Sequence, residues 1–114
     1  LGTTEMSSMA ECAGMAIEGL KPYFYSMINF SVFRPYEAVR NCVGYHNANV
    51  KILGVQGSAA YKFLGFSHNI EEGEDFHALS SMSYFNIWES DGKTIRSIIL
   101  EEYTREGPAY IRLE

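Results

Sequence analysis

The chain has 114 residues, of which 46% are hydrophobic. That length and composition suit one globular domain and exclude a disordered segment. The formal net charge is −5, and Lys and Arg do not cluster, which argues against direct binding to nucleic acid or an anionic membrane. Two cysteines are too few for a disulfide scaffold, and no apolar run is long enough to span a bilayer. We therefore expect a single domain over residues 1–114 with no specific nucleic-acid partner.

The first half of the chain predicts a helix, a strand and a second helix. Apolar residues near helical spacing indicate a short helix over Ser8–Leu20. The segment Pro22–Phe33 alternates with period two and has apolar residues on both faces, which favours a central strand or a contacted surface. Pro35 suits the first position of a helix, and the amphipathic pattern over residues 36–46 predicts a helix that lies across a sheet.

The second half predicts an antiparallel sheet. Val50–Val55 and Ala59–Phe66 read as two strands around a turn. The acidic run within His68–Asp75 predicts a solvated surface loop, because burying unpaired charges is costly. Asp91-Gly92 predicts the type I′ turn of a hairpin, since both central positions of that turn need positive φ. Ala109–Glu114 predicts a final edge strand.

The predicted hairpin joins Met82–Ser90 to Lys93–Thr104. A two-residue turn would place apolar pairs on both faces of the sheet: Trp88 with Ile95, Tyr84 with Ile99, and Phe85 with Ile98. A sheet that is apolar on both sides needs a second cover, which favours a protein partner. The expected fold class is α+β, an antiparallel β-sheet with a helix packed across one face.

No catalytic, cofactor-binding or metal-binding residue is predicted. His68, His77 and the acidic residues between them match neither an EF-hand nor a zinc spacing. Cys42 and His46 lie four residues apart on one helix face, which is commoner for a packed thiol than for a nucleophile and its base. Four aromatic side chains suit an interface better than a pocket lining: Tyr23, Tyr25, Tyr84 and Trp88.

The segment Met27–Tyr36, which reads Met-Ile-Asn-Phe-Ser-Val-Phe-Arg-Pro-Tyr, precedes the predicted helix, and Tyr-Lys-Phe-Leu-Gly-Phe follows over residues 61–66. Together with Phe85-Asn86-Ile87 before the predicted hairpin, these pieces resemble the core of rhabdovirus matrix proteins, closest to plant-infecting, cytorhabdovirus-like members. The resemblance covers roughly residues 25–100.

The resemblance implies a non-enzymatic structural protein that self-associates, condenses the viral nucleocapsid and supports virion assembly. Its partners would be further copies of itself and the nucleocapsid, with membrane or glycoprotein reached only indirectly through tails outside this sequence. Its location would be the virion and the host cytoplasm. The loop after Gly65 would carry self-association, through His68, Ile70, Glu71, Glu72, Glu74 and Asp75.

Two alternatives stay open at this point. One is a small ligand-binding or lyase-like domain, with a pocket between a helix and the sheet. The other is a protease-inhibitor-like or host-interaction domain that presents the tip of the predicted hairpin at Ser90–Lys93.

Overall fold

The structure, a computed structural model, describes residues 2–113, apart from the side chains of Ser58 and Ala59. Four strands form one sheet in the order β1-β2-β4-β3, and every neighbouring pair is parallel. The strands are β1 (Tyr23–Met27), β2 (Lys51–Val55), β3 (Asn86–Glu89) and β4 (Ala109–Leu113). The expectation of an antiparallel sheet is therefore wrong, and the fold is α/β. Helical segments between successive strands return the chain to the same edge of the sheet, as parallel pairing requires.

Five α-helices and three other helical segments accompany the strands among the described residues. The α-helices are α1 (Glu5–Ile17), α2 (Tyr36–Ala38), α3 (Ser58–Tyr61), α4 (Glu74–Leu79) and α5 (Ile95–Thr104). Two segments have π-helical hydrogen bonding, Asn29–Phe33 and Val39–Gly44, and one is 3₁₀-helical, Lys62–Ser67. Met9 and Cys12 of α1 pack with Val39 and Val43 in the buried core.

The predicted Asp91-Gly92 hairpin does not form. The Asp91 side chain accepts hydrogen bonds from the backbone N–H groups of Lys93 at 2.8 Å and Thr94 at 2.9 Å, an Asx turn that leads directly into α5. Most of the predicted strand Lys93–Thr104 is therefore helix. Ile98 and Glu102, four residues apart, are its buried positions. The pairs predicted across the hairpin do not exist, and the predicted tip at Ser90–Lys93 lies in the turn that precedes α5.

Other segments that were predicted as strands are also partly or wholly helical. The strand predicted over Pro22–Phe33 ends at Met27, and a π-helical segment follows. The strand predicted over Ala59–Phe66 is helical. The helices predicted at Ser8–Leu20 and at residues 36–46 are present with shifted ends, as is the strand predicted at Val50–Val55.

The last strand was expected at an edge of the sheet and instead lies inside it. β4 pairs with β2 on one side and with β3 on the other, and Ala109, Tyr110 and Ile111 are fully buried. Glu114, the last residue of that predicted strand, lies outside the described residues. A strand covered on both faces is a near-continuous apolar run, which gives no alternation to mark its position.

A buried ion pair closes the amino-terminal edge of the sheet. Lys51 Nζ lies 3.1 Å from Glu102 Oε1, and both side chains are fully buried. Glu102 also accepts hydrogen bonds from Trp88, Asn86 and Arg105. Burial lowers the pKa of Lys51, an effect that Glu102 opposes. Burial acts to raise the pKa of Glu102, but the hydrogen bonds that it accepts lower it.

Candidate functional site

The carboxyl ends of the parallel strands border two adjoining clefts. In open parallel sheets this edge is the usual position of a ligand site. One cleft has a volume of about 680 Å³ and the other about 550 Å³, within the range of small-molecule sites. They share the side chains of Phe66, Asn69 and Ile70. We call the two together the edge clefts.

Glu5 and Arg34 form an ion pair beside the larger cleft. Arg34 Nη1 donates to Glu5 Oε1 at 3.2 Å, and the Arg34 side chain is 51% exposed while that of Glu5 is 12% exposed. The Arg34 guanidinium also lies 4.4 Å from the centre of the Phe30 ring. Arg34 lines the larger cleft and also a third depression of about 400 Å³ that Glu5 lines. The ion pair therefore joins these two concavities.

The second carboxylate oxygen of Glu5 lacks a hydrogen-bond donor. Glu5 Oε2 is buried and accepts no hydrogen bond from the described residues. A buried acceptor left without a donor is unfavourable by roughly 1–3 kcal/mol. Such a group in a concave site is suited to accept a hydrogen bond from a hydroxyl or N–H group of a ligand.

Two asparagines fix the wall that the edge clefts share. Asn69 Nδ2 donates to the carbonyl oxygens of Tyr61 at 2.9 Å and Gly65 at 2.8 Å. Asn29 Nδ2 donates to the carbonyl oxygens of Phe66 at 2.8 Å and Asn69 at 3.0 Å. The wall is therefore held by the segment that follows β1.

Gly57 allows the chain after β2 to approach this wall closely. A Cβ atom at this position would lie 2.3 Å from the carbonyl oxygen of His68 and 2.8 Å from Asn69 Oδ1. Its φ is −64°, so the requirement for glycine comes from space and not from backbone conformation.

A buried polar group lies behind the smaller cleft. The Tyr110 hydroxyl donates to Asp75 Oδ2 at 2.5 Å, and Arg112 Nε lies 3.4 Å from the same oxygen. Burial, and then Asp75, raise the pKa of Tyr110. The amide of Gln56, which lines the smaller cleft, faces Arg112. Asp75, Tyr110 and Arg112 contact one another through Asp75 Oδ2 and so support the cleft, whereas Asp75 Oδ1 is buried and accepts no hydrogen bond from the described residues.

The loop predicted to mediate self-association divides between surface and interior. Glu71, Glu72 and Glu74 are exposed, and Ile70 packs against the core. Asp75 is fully buried, so the expectation that the whole run is solvated is wrong. Tyr110 and Arg112 both contact its Oδ2 and offset part of the cost of burying a carboxylate, while Oδ1 accepts no hydrogen bond from the described residues.

The His68 ring of this loop stacks on Tyr61, with the ring centroids 6.0 Å apart, and meets the Phe30 ring edge-on. Its assignment to self-association, like that of the rest of the loop, stays a prediction.

The four predicted interface aromatics do not come together. Tyr23 and Tyr25 lie on β1, and Trp88 lies on β3, at the opposite edge of the sheet. Tyr84 precedes β3 and is 56% exposed. Trp88 is half-buried, and its Nε1 donates to Glu102 at 2.8 Å, so it contributes to the buried ion-pair network.

The other predicted chemistry is also separated in space. His46 Nδ1 lies 3.1 Å from the carbonyl oxygens of Asn41 and Cys42, so the ring is engaged with backbone. Within residues 2–113 no three His, Cys, Asp or Glu side chains are arranged to hold a metal ion. None of the helices in the described part of the chain is long and apolar enough to cross a membrane.

Sequence reasoning missed Glu5 and Arg34 as site residues. They are 29 residues apart and belong to no motif, and Arg34 stood out only as the residue before Pro35. The one available signal was an acidic residue at the start of a helix, which is common and serves the helix dipole alone.

Known proteins that resemble this chain are transketolase subunits. A solved structure of a split-gene transketolase, as an inactive β4 tetramer, matches with a TM-score of 0.80 and 27% identity, over 98% of this chain and 35% of that chain. The B subunit of the apulose-4-phosphate transketolase of Phocaeicola vulgatus is 31% identical over 113 residues, which covers 98% of this chain and 36% of the relative. No family model matches the chain.

Two further relatives agree. The B subunit of the apulose-4-phosphate transketolase of Actinobacillus succinogenes is 30% identical over 115 residues, covering 100% of this chain and 36% of the relative. The SqwH subunit of a 6-deoxy-6-sulfo-D-fructose transketolase, from a Clostridium species, is 26% identical over 99% of this chain and 35% of its own length. The chain thus spans about a third of the length of the curated relatives that it matches.

These relatives overturn the resemblance to viral matrix proteins. They are subunits of bacterial sugar enzymes, so the expected non-enzymatic role, the nucleocapsid and glycoprotein partners, and the location in the virion and host cytoplasm are wrong. The residues that carried the resemblance, 27–36 and 61–66, are largely helical here. Of the expectations from sequence, the ligand-binding alternative agrees best with these relatives.

Proposed function

We propose that this chain forms part of a transketolase B subunit and that the edge clefts, with the Glu5–Arg34 pair, bind the sugar on which the enzyme acts. The observation that carries the proposal is the buried, unpartnered Oε2 of Glu5 beside a concave surface. A sugar hydroxyl would donate the hydrogen bond that Glu5 Oε2 lacks.

The names of the relatives suggest the class of sugar. Apulose 4-phosphate and 6-deoxy-6-sulfo-D-fructose each carry an anionic group, a phosphate or a sulfonate. The half-exposed guanidinium of Arg34 and the exposed ammonium of Lys62 are the cations that line the edge clefts among the described residues. A planar guanidinium suits two oxygens of such a group, so we assign the anionic end of the sugar to Arg34.

The partners that we propose are a complementary transketolase subunit and further copies of this chain. The first follows from the designation of the relatives as B subunits, and the second from the β4 tetramer of the solved relative.

The test measures ketol transfer by the protein purified with its complementary subunit. Apulose 4-phosphate and 6-deoxy-6-sulfo-D-fructose serve as donors, and each is compared with the same sugar lacking its anionic group. We expect transfer from at least one anionic donor and a lower rate from its uncharged counterpart. A folded, assembled preparation that transfers from neither donor would exclude this function.

A further inference from the structure

A small pocket lies at the amino edge of the sheet, across it from the edge clefts. Its volume is about 220 Å³, and its lining comes from residues within 40–45 and 81–84. These segments lead into β2 and β3, and chain that leads into parallel strands approaches their amino ends. The pocket shares no lining residue with the edge clefts. We call it the amino-edge pocket.

Arg40 brings to this pocket a positive charge that no described carboxylate neutralises. Its side chain is exposed and forms no ion pair within the described part of the chain. Its Nη1 donates to Asn41 Oδ1 and its Nη2 to the Tyr45 hydroxyl, each at 2.9 Å. A guanidinium has five N–H groups, so these two bonds orient it and leave three N–H groups for a ligand.

A π-helical turn sets the position of this guanidinium. The backbone N–H of Tyr45 donates to the carbonyl oxygen of Arg40 at 3.0 Å, which brings two residues five apart to the same side of the segment. The Arg40 guanidinium accordingly lies 5.0 Å from the centre of the Tyr45 ring. In a regular α-helix, with about 3.6 residues per turn, residues five apart lie on different sides. Turns of this kind are rare and occur frequently at functional sites.

Three exposed hydroxyl groups also line the amino-edge pocket, those of Ser81, Ser83 and Tyr84. Among the described residues none of the three hydroxyls has a hydrogen-bond partner. Each can donate to an anion, and neither Asp nor Glu is among the described residues that line the pocket. The pocket therefore offers one positive charge and several donors, in a chain whose formal net charge is −5.

Close packing holds the two walls of the pocket together. A Cβ atom at Gly44 would lie 3.1 Å from Met82 Sδ and 3.6 Å from the Phe85 ring. The backbone N–H groups of Met82 and Phe85 donate to the carbonyl oxygens of Leu79 and Met82, so two consecutive turns shape the second wall. Walls that are already formed reduce the cost of ordering on binding.

We propose that the amino-edge pocket binds a phosphate group, either as the free ion or as part of a larger ligand. The planar fork of a guanidinium and nearby hydroxyl donors match the oxygens of phosphate. Pockets that enclose a whole small molecule measure roughly 300–1,000 Å³, so this smaller one suits a single group. The site is separate from the one assigned to the sugar and does not depend on that assignment.

Methionine-methyl NMR during a titration with inorganic phosphate tests the proposal. Met82 lines the pocket and reports on it locally, whereas Met15 lines a different depression beside α1 and serves as the reference. We expect the Met82 signal to shift and saturate with a Kd of about 1 mM or lower, and the Met15 signal to stay in place. Chloride at equal ionic strength should move neither. A parallel titration with glycerol phosphate distinguishes the two sources, since the tighter binder identifies a free ion or a group of a larger ligand.

Variants assign the response to the pocket. Arg40→Gln removes the charge and should weaken phosphate binding at Met82 roughly tenfold or more. Arg96→Gln, at an exposed arginine of α5, is the matched control and should bind as wild type does. Ser83→Ala removes one exposed hydroxyl and should weaken binding roughly threefold. Arg34→Gln alters the edge clefts and should leave the Met82 titration unchanged.

Three results would overturn the site. The first is a Met82 signal that does not respond to phosphate, and the second is an equal response in folded Arg40→Gln. The third is acetate that binds more tightly than either phosphate compound, because the pocket would then select a carboxylate. If Arg40→Gln does not fold, Ser83→Ala decides, and binding as tight as that of wild type would overturn the proposal.

Discussion

Glu102 connects three parts of the molecule through one buried carboxylate. It accepts hydrogen bonds from Lys51 on β2, from Asn86 and Trp88 on β3, and from Arg105 just after α5. Lys51 Nζ additionally donates to the carbonyl oxygens of Arg105 and Gly107. Removing one member of such a group leaves the opposite charge buried without its partner.

Glu102→Ala should therefore destabilise the protein strongly. We expect the free energy of unfolding to fall by about 3–5 kcal/mol, because Lys51 would stay buried as an unpaired charge. Urea denaturation monitored by tryptophan fluorescence measures the change. Glu101→Ala, at the exposed neighbouring position, is the control and should stay within about 0.5 kcal/mol of wild type. A similar small loss in both variants would show that the network contributes little.

Alanine substitutions at Gly57 and Gly14 should change the stability of the protein in opposite directions. The Cβ of Gly57→Ala would overlap the carbonyl oxygen of His68, so we expect a loss of about 1–3 kcal/mol. Gly14 lies inside α1, where an added Cβ atom would have nothing within 4 Å, so Gly14→Ala should stabilise by about 0.5–1 kcal/mol. Thermal denaturation of both variants checks the signs. A change in melting temperature of the same sign in both variants would contradict the steric role assigned to Gly57.

At the scale of elements, α5 depends on the turn that precedes it. Asp91 accepts hydrogen bonds from the backbone of Lys93 and Thr94, and these bonds lower its pKa. Asp91→Ala would free both donors, so we expect a lower melting temperature and faster hydrogen exchange in the first turn of α5. Asp91→Asn keeps an acceptor and should lie between this variant and wild type. Unchanged exchange in Asp91→Ala would remove the turn from the description of α5.

The same turn explains a wrong prediction from sequence. Asp-Gly between two apolar segments is the usual hairpin pattern, and the isoleucines at 95, 98 and 99 favour a strand. Asp91 can equally cap a helix, and Ile95, Ile98 and Glu102 share a helix face. Whether the segment forms a strand or a helix depends on Glu102. Its carboxylate would be expected at the surface, but it is buried because it pairs with the buried ammonium of Lys51. That partner lies 51 residues away, so the local pattern carries no trace of it.

At the scale of the whole molecule, parallel topology could not be predicted from the strands alone. β2 was predicted correctly, since Val50, Ile52, Leu53 and Val55 make the segment between turn residues mostly apolar. Its pairing with β1 and β4 depends on helices that were partly interpreted as strands, such as residues 59–66. When those helices are interpreted as strands, only short connections remain between the predicted strands, and short connections join antiparallel strands.

The site depends on the topology in the same way. Parallel strands bring the segments after β1 and β2 to one edge, where Arg34, Gln56 and the wall around Phe66 meet. The contact between Arg34 and Glu5 adds the start of α1. A sequence without a motif offers no reason to join these positions, so the fold had to be known before the site.

The comparison of two glutamates, one at each end of α1, tests the central claim most directly. Ketol transfer by Glu5→Ala and by Glu18→Ala is measured in the protein assembled with the complementary subunit proposed above, and circular dichroism checks the folding of both. Glu18 is exposed at the far end of the helix. We expect kcat/KM to fall roughly tenfold or more for Glu5→Ala, because a hydrogen bond to a charged group is lost, and to be unchanged for Glu18→Ala. Full activity in Glu5→Ala would contradict the assignment of the site.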